Sequence, residues 1–269
     1  MVMVSMVMNA EEIYYTVNNG AEYWLDPETH CAHCYGCTET ATHIVIPESI
    51  TYDGANYVVT EITGIHGLSL LSIKIKALVT SLGSGCFNNC TALQTIEIPS
   101  SVTSLGSGCF NNCTALQTIE IPSSVTSLGD CCFEGCSALT SIKIPSSVTN
   151  IGSESFDGCW ELTDVICEAI NCPIVHSDDY GDNLGFFHIK SATLYVPEES
   201  VELYKNTEPW SQFGNIKAIG TTGLNGVTVD ETNETQDIYG IDGKRRHAVK
   251  SGVNIIHMRN GKTKKVLKK

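Results

Sequence analysis

The amino-acid sequence predicts a β-rich solenoid, made of 23-residue repeats whose short strands stack in parallel. Three observations carry that expectation. The segment VTSLGSGCFNNCTALQTIEIPSS at 79–101 recurs without a change at 102–124. Diverged copies follow at 125–147 and 148–168, and a shortened one precedes, at 59–62 and 70–75. Within each copy, Leu93-x-x-Ile96-x-Ile98 and its equivalents alternate, as a strand with one buried face does. One such unit cannot cover its own apolar side. Stacked units can, with equivalent residues about 4.8 Å apart.

The elements follow in order. Strands are expected at 70–75, 93–98, 116–121, 139–144 and 162–167, in one continuous solenoid from about Ala41 to Cys167. Pro99 ends its strand because proline cannot donate to the next ladder bond. Val102, Leu105 and Phe110 then anchor a second short extended piece and a tight turn, and Gly106 and Gly108 permit the bend between them. Phe87, Phe110, Phe133 and Phe156 share one phase and should stack in a buried column. Cys90, Cys113, Cys136 and Cys159 share another; Cys86, Cys109 and Cys132 share a third, where Ser155 takes the fourth place. Adjacent ladder positions lie within the Cα range of a disulfide. A ladder keeps its Cβ vectors parallel, however, so reduced, buried thiols acting as small hydrophobes are expected ahead of staples.

The signature VTSLG…CF..C.AL..I.IP.SV resembles the BspA-like leucine-rich repeats of Bacteroides-group surface proteins. His43-Ile44-Val45-Ile46-Pro47 with 52–60 is similar to that family's N-terminal cap. Residues 165–169, 192–197 and Tyr204-Lys205 up to Trp210 are similar to its C-terminal cap, and 238–245 with 252–256 to the short tail of such exported proteins. The resemblance covers 11–269. It implies a leucine-rich-repeat solenoid organised as a leader remnant or disordered start at 1–10, an N-terminal cap at 11–57, repeats at 58–168 and a C-terminal cap at 169–220. A linker at 221–236 and a basic β-hairpin tail at 237–269 complete it. It also implies export, to the cell surface or the medium, and adhesion to host or bacterial surface proteins.

Composition agrees with a folded chain and narrows its partners. Of 269 residues, 42% are hydrophobic and 17% charged, enough for a core and too little charge for a disordered chain. No apolar run approaches the roughly 20 residues that span a bilayer, so no transmembrane segment is expected. The opening MVMVSMVM has no basic flank, so it is read as an absent or truncated signal peptide. The net charge of -14 leaves no basic face for nucleic acid across the body, and no nucleic-acid partner is expected. Charge is unevenly placed. Residues 238–269 hold ten basic residues against one acid, a net +9, whereas 1–237 carry -23. Asp242-Gly243 and Asn260-Gly261 in that basic segment favour tight hairpin turns.

Chemistry is sparse. Neither G-x-S-x-G, H-E-x-x-H nor a Walker loop is present, so no catalytic residue and no cofactor is expected. The one dense ligand cluster is Cys31, Cys34 and Cys37 with His30, His33 and His43 nearby. Zinc wants four N/S ligands, usually from two paired knuckles, and the second pair is missing. Free thiols in a loop are expected first there, a local disulfide second and zinc third. Two identical coils also argue against catalysis, since a site built on one would occur twice, whereas a binding face gains from repetition.

The candidate binding face is the outward side of the strands. Its two columns are Ser72, Thr95, Thr118, Ser141 and Asp164, and Lys74, Glu97, Glu120, Lys143 and Ile166. In the second column each Glu has a Lys as one neighbour, so cross-strand ion pairs compete with recognition as the reason for these residues. Trp160 is the best single aromatic for a partner contact, with packing on the C-terminal cap as its ordinary alternative. The expected function is non-catalytic binding of a protein or glycoprotein by a monomeric, exported solenoid; the alternative is a spacer module without its own ligand.

Overall fold

The computed structural model describes residues 6–8, 11–177, 185–186 and 191–220, together with strands at 235–240, 245–246, 252–258 and 263–268. They fall into two units, Met1–Lys217 and Ala218–Lys269. Of the expected linker at 221–236, residues 221–234 lie outside the described residues, as do both turn dipeptides of the basic segment, and 235–236 begin the strand Thr235–Gly240.

The parallel rungs form where the sequence phase puts them. Ser72–Ile75 pairs in parallel with Thr95–Glu97, Lys74 opposite Glu97, and on its other side with His43–Ile46. Ser141–Ile144 pairs with Asp164–Cys167, and that strand with Thr193–Val196. The rungs therefore continue past Cys167, because Leu194 and Val196 repeat the buried alternation of the coils before them. A second row of two-residue strands, Ser81–Leu82, Ser104–Leu105, Ser127–Leu128, Asn150–Ile151 and Ile174–Val175, runs unbroken beside the first.

The rung expected at 116–121 is a correction. Leu116, Ile119 and Ile121 are buried as the pattern requires, yet the segment makes only one bridge, Glu120 to Lys143. The rungs consequently fall into two sheets. Glu97 and Glu120 hold equivalent places in the two identical coils, and like charges opposed across a ladder disfavour pairing.

Inside the coils, Phe87, Phe110, Phe133 and Phe156 stack with ring centroids 5.3–5.4 Å apart. Phe186, from beyond the repeats, continues the stack at 4.9 Å, and Trp210 and Phe213 close it. The coil turn bends at Gly108, whose φ of 62° lies in the left-handed region that suits glycine. Gly106 is needed for a different reason: a Cβ there would lie 2.6 Å from the Gly83 carbonyl carbon, backbone of the preceding coil.

Ahead of the rungs stands a six-stranded sheet that includes Glu11–Asn18, Ala21–Asp26, Cys31–Cys37, Ser49–Tyr52 and Ala55–Ile62. Behind them, the short helix Val201–Lys205 brings Tyr204 into the core, where its hydroxyl donates to the Ala169 carbonyl at 2.9 Å. Trp210, also fully buried, donates from Nε1 to the Pro173 carbonyl at 3.0 Å. The second unit is a four-stranded antiparallel sheet. Thr235–Gly240 and Gly252–Met258 lie inside, and Arg245–Arg246 and Thr263–Lys268 lie outside.

Candidate functional site

The strand face carries the expected columns. Lys74, Thr95, Glu97, Thr118, Glu120 and Lys143 are exposed, and Ser72, Ser141, Asp164 and Ile166 half-buried. Between the two columns Ile73, Ile96, Ile119, Ile142 and Val165 are buried, so each outward residue is anchored by at least one buried apolar neighbour. Lys74 ion-pairs with Glu97 as the column predicts. Lys143 turns instead to Glu168, at 2.8 Å, which leaves Glu120 without an ion-pair partner among the described residues. Ser72 is tied to His43 Nδ1 at 2.6 Å, and Thr163 donates to Asp164 at 2.8 Å. Burial, and then the Asp164 carboxylate beside it, push the Tyr195 hydroxyl above its ordinary value.

Trp160 is 61% exposed, at the turn after Cys159. Trp24 stacks on His33 at 3.7 Å, and His33 Nδ1 meets Glu61 at 2.6 Å.

The cysteine–histidine cluster is not a loop. Cys31–Cys37 is a strand, with Cys34 buried on one face and Cys31 and Cys37 half-buried on the other. Successive strand residues alternate faces, so cysteines three apart point oppositely and do not converge on one ion. A donor set that the sequence reasoning did not single out is Cys131, Glu134 and Glu154, whose ligand atoms lie within 4.8 Å of one another. Cys131 and Glu134 depart from the identical repeats, and that departure is the signal that could have found them. These donors are engaged within the protein: Asn111 donates to Glu134 at 2.7 Å and the Cys131 thiol to Glu154 at 3.6 Å. Burial first, and the two carboxylates next, push that thiol up to about 12.

The sulfur ladders are buried as expected. Each thiol in one of them donates to a carbonyl of the preceding coil: Cys90 to Ile65 at 3.0 Å, and Cys113, Cys136 and Cys159 to Phe87, Phe110 and Phe133 at 3.2 Å. Ser155, in the serine place of the other ladder, donates likewise to Gly129 at 2.9 Å. Burial raises Cys90 from 9.0 to about 11 and Cys159 to about 12, and holds Cys109, Cys113 and Cys136 high as well. Folded values raised above unfolded ones stabilise fully below pH 9 and cease to do so as pH climbs through the folded values. Thermal melts in the presence of reductant should therefore be flat from pH 7 to about 9 and fall steeply between about 9 and 12. Cys132→Ser, which repeats in the third coil the serine that the fourth already holds, should fold and lessen that fall. A midpoint unchanged to pH 12 would show that the thiols are not buried as neutral donors.

Residues 65–176 match, in six copies, the family model of the BspA type leucine rich repeat region. No curated protein matches the chain. Among solved structures, a leucine-rich repeat protein of T. pallidum aligns at 23% identity and a TM-score of 0.53, covering 67% of this chain and 80% of its own. A leucine-rich repeat protein from Bacteroides ovatus aligns at 17% and 0.39, covering 77% of each chain. A leucine rich cell surface protein from Faecalibacterium prausnitzii aligns at 16% and 0.27, covering 77% of this chain and 95% of its own. No described helix is long and apolar enough to cross a membrane. The repeat period, the stacked rungs and the family match agree: residues 65–176 are a leucine-rich repeat region of the BspA type.

Proposed function

We propose that the protein is a non-catalytic, exported binding solenoid, adhesin-like, whose strand face recognises a protein or glycoprotein on a host or bacterial surface. The observation that carries this reading is the repetition itself. Thr95 and Glu97 in one coil, and Thr118 and Glu120 in the next, present the same exposed pair twice, each pair flanking a buried isoleucine, Ile96 or Ile119. Such a face extends with each coil, whereas catalysis needs one asymmetric constellation. Export rests on the family resemblance. A body carrying -23 over 1–237 repels nucleic acid.

The spacer reading is favoured by one feature: Lys74–Glu97 and Lys143–Glu168 satisfy four of the charges near the face internally. Exposed pairs of this kind contribute only about 0–1 kcal/mol, so a partner could displace them cheaply. The test is a glycan and matrix-protein array probed with the full chain, followed by Glu97→Lys with Glu120→Lys. The binding reading expects an enriched ligand whose affinity falls at least about tenfold in the double variant, with the melting temperature held. An array with no enriched ligand supports the spacer. A ligand unaffected by the variant moves the site off these columns.

A further inference from the structure

We propose that the second unit binds anionic lipid surfaces. The inference is independent of the strand-face reading and starts from charge. The second unit, Ala218–Lys269, holds ten basic residues and five acids, a net +5, with all ten basic residues and only one acid in 238–269, in a chain whose preceding 217 residues carry -19. An anionic surface therefore repels the body and attracts this segment.

The strand registers place those charges in an order. Across the sheet, one row reads Arg246, Ile238, Ile256, Lys264, and the adjacent row reads Arg245, Tyr239, Ile255, Lys265. Directly paired residues share a face and successive residues alternate, so the rows belong to opposite faces. Each face thus has an apolar centre flanked by cations on the two outer strands. Val253 opposite Leu267 enlarges the apolar centre of the face that holds Tyr239 and Ile255. An ordinary antiparallel sheet covers one face and solvates the other with polar residues. Here both faces carry apolar residues, and among the described residues of this unit there is no second layer.

Cationic edges around an aromatic and aliphatic centre match the boundary between anionic headgroups and acyl chains, where basic residues meet the surface potential and apolar ones enter the interface. A soluble polyanion offers the charges only. Lysine and arginine on outer strands also guard sheet edges against aggregation, but edge protection does not need the net +9 of this segment.

Co-sedimentation of the full chain with phosphatidylcholine vesicles, with and without about 30% phosphatidylglycerol, tests the proposal. Binding is expected only to the anionic vesicles and should be lost in 0.5 M salt, where charges are screened. Lys264→Gln, Lys265→Gln and Lys268→Gln together should lower partitioning on the order of a hundredfold, from about fivefold per charge. The matching lysine-to-arginine triple variant should retain it, which separates charge from misfolding. Tyr239→Ser should weaken binding several-fold without changing charge. Equal binding to neutral vesicles, failure to bind either kind, or full displacement by soluble polyphosphate at constant ionic strength would overturn it.

Discussion

Gly129→Ala is expected to destabilise the solenoid by about 3 kcal/mol or more, the upper part of the range for forcing atoms into a packed interior. A Cβ at Gly129 would sit 2.4 Å from the Ser107 nitrogen and 2.6 Å from the Gly106 carbonyl carbon. Both obstacles are backbone, so no side-chain rotation relieves the clash. Nor can the coils slide apart locally: Thr126 donates to Thr103 at 2.8 Å before the contact, and Gly108 donates to Asp130 at 2.7 Å after it, pinning the same two coils on either side. The repeat supplies its own control. Gly83 holds the same place in the first full coil, but its nearest obstacle is the Ile62 carbonyl oxygen at 3.6 Å, an ordinary contact. Gly83→Ala should be nearly neutral, or stabilise slightly by restricting the unfolded chain. Gly106→Ala and Gly152→Ala, blocked at 2.6 and 2.3 Å, should behave like Gly129→Ala. Urea unfolding of the four variants checks this, and similar midpoints for Gly83→Ala and Gly129→Ala would show that coil approach is not the constraint.

The contrast between Gly83 and Gly129 also marks where sequence legibility stops. The period, the strand phase, the phenylalanine column and the two sulfur ladders were readable because a solenoid converts sequence spacing into spatial neighbourhood. The outward columns were readable for the same reason, since strand alternation on a known phase fixes which residues face out. What could not be read depends on distances between coils. Gly106 looked like a bend residue, as Gly108 is, and only the approach of Gly83 separates their roles. The rung at 116–121 obeys the pattern yet does not extend the ladder, because identical repeats place Glu120 beside Glu97. Lys143 found Glu168 rather than Glu120, since Glu168 lies just past the end of its strand, outside the columns. The strand Cys31–Cys37 was hidden by its cysteines, its histidine and its glycine, which carry little strand preference.

Phe133→Ala should be the most damaging single truncation, at about 3–5 kcal/mol for the buried phenyl group. Phe133 is fully buried and lies between Phe110 at 5.3 Å and Phe156 at 5.4 Å, with interplanar angles of 4° and 11°. Its removal deletes two ring–ring contacts, each worth roughly 0.5–1.5 kcal/mol beyond area burial. It also opens a cavity at two inter-coil interfaces together. In a repeat protein, stability is close to a sum of unit and interface terms, so an interior loss weakens both neighbours and can uncouple the halves. Unfolding of Phe133→Ala should accordingly broaden or split. Phe87→Ala should lower the midpoint with less broadening, because Phe110 is the only ring of the stack on Phe87 among the described residues. Phe133→Leu, which retains most of the volume, should cost less than half as much as the alanine change. Phe186 sharpens the comparison: it joins the column from outside the repeats, 4.9 Å from Phe156. Phe186→Ala should therefore destabilise the fourth coil and leave the first two intact, which hydrogen exchange can resolve coil by coil. Uniform loss of protection over all coils in both Phe133→Ala and Phe186→Ala would mean that the solenoid melts as one cooperative block, and that the stack is not the element that joins its coils.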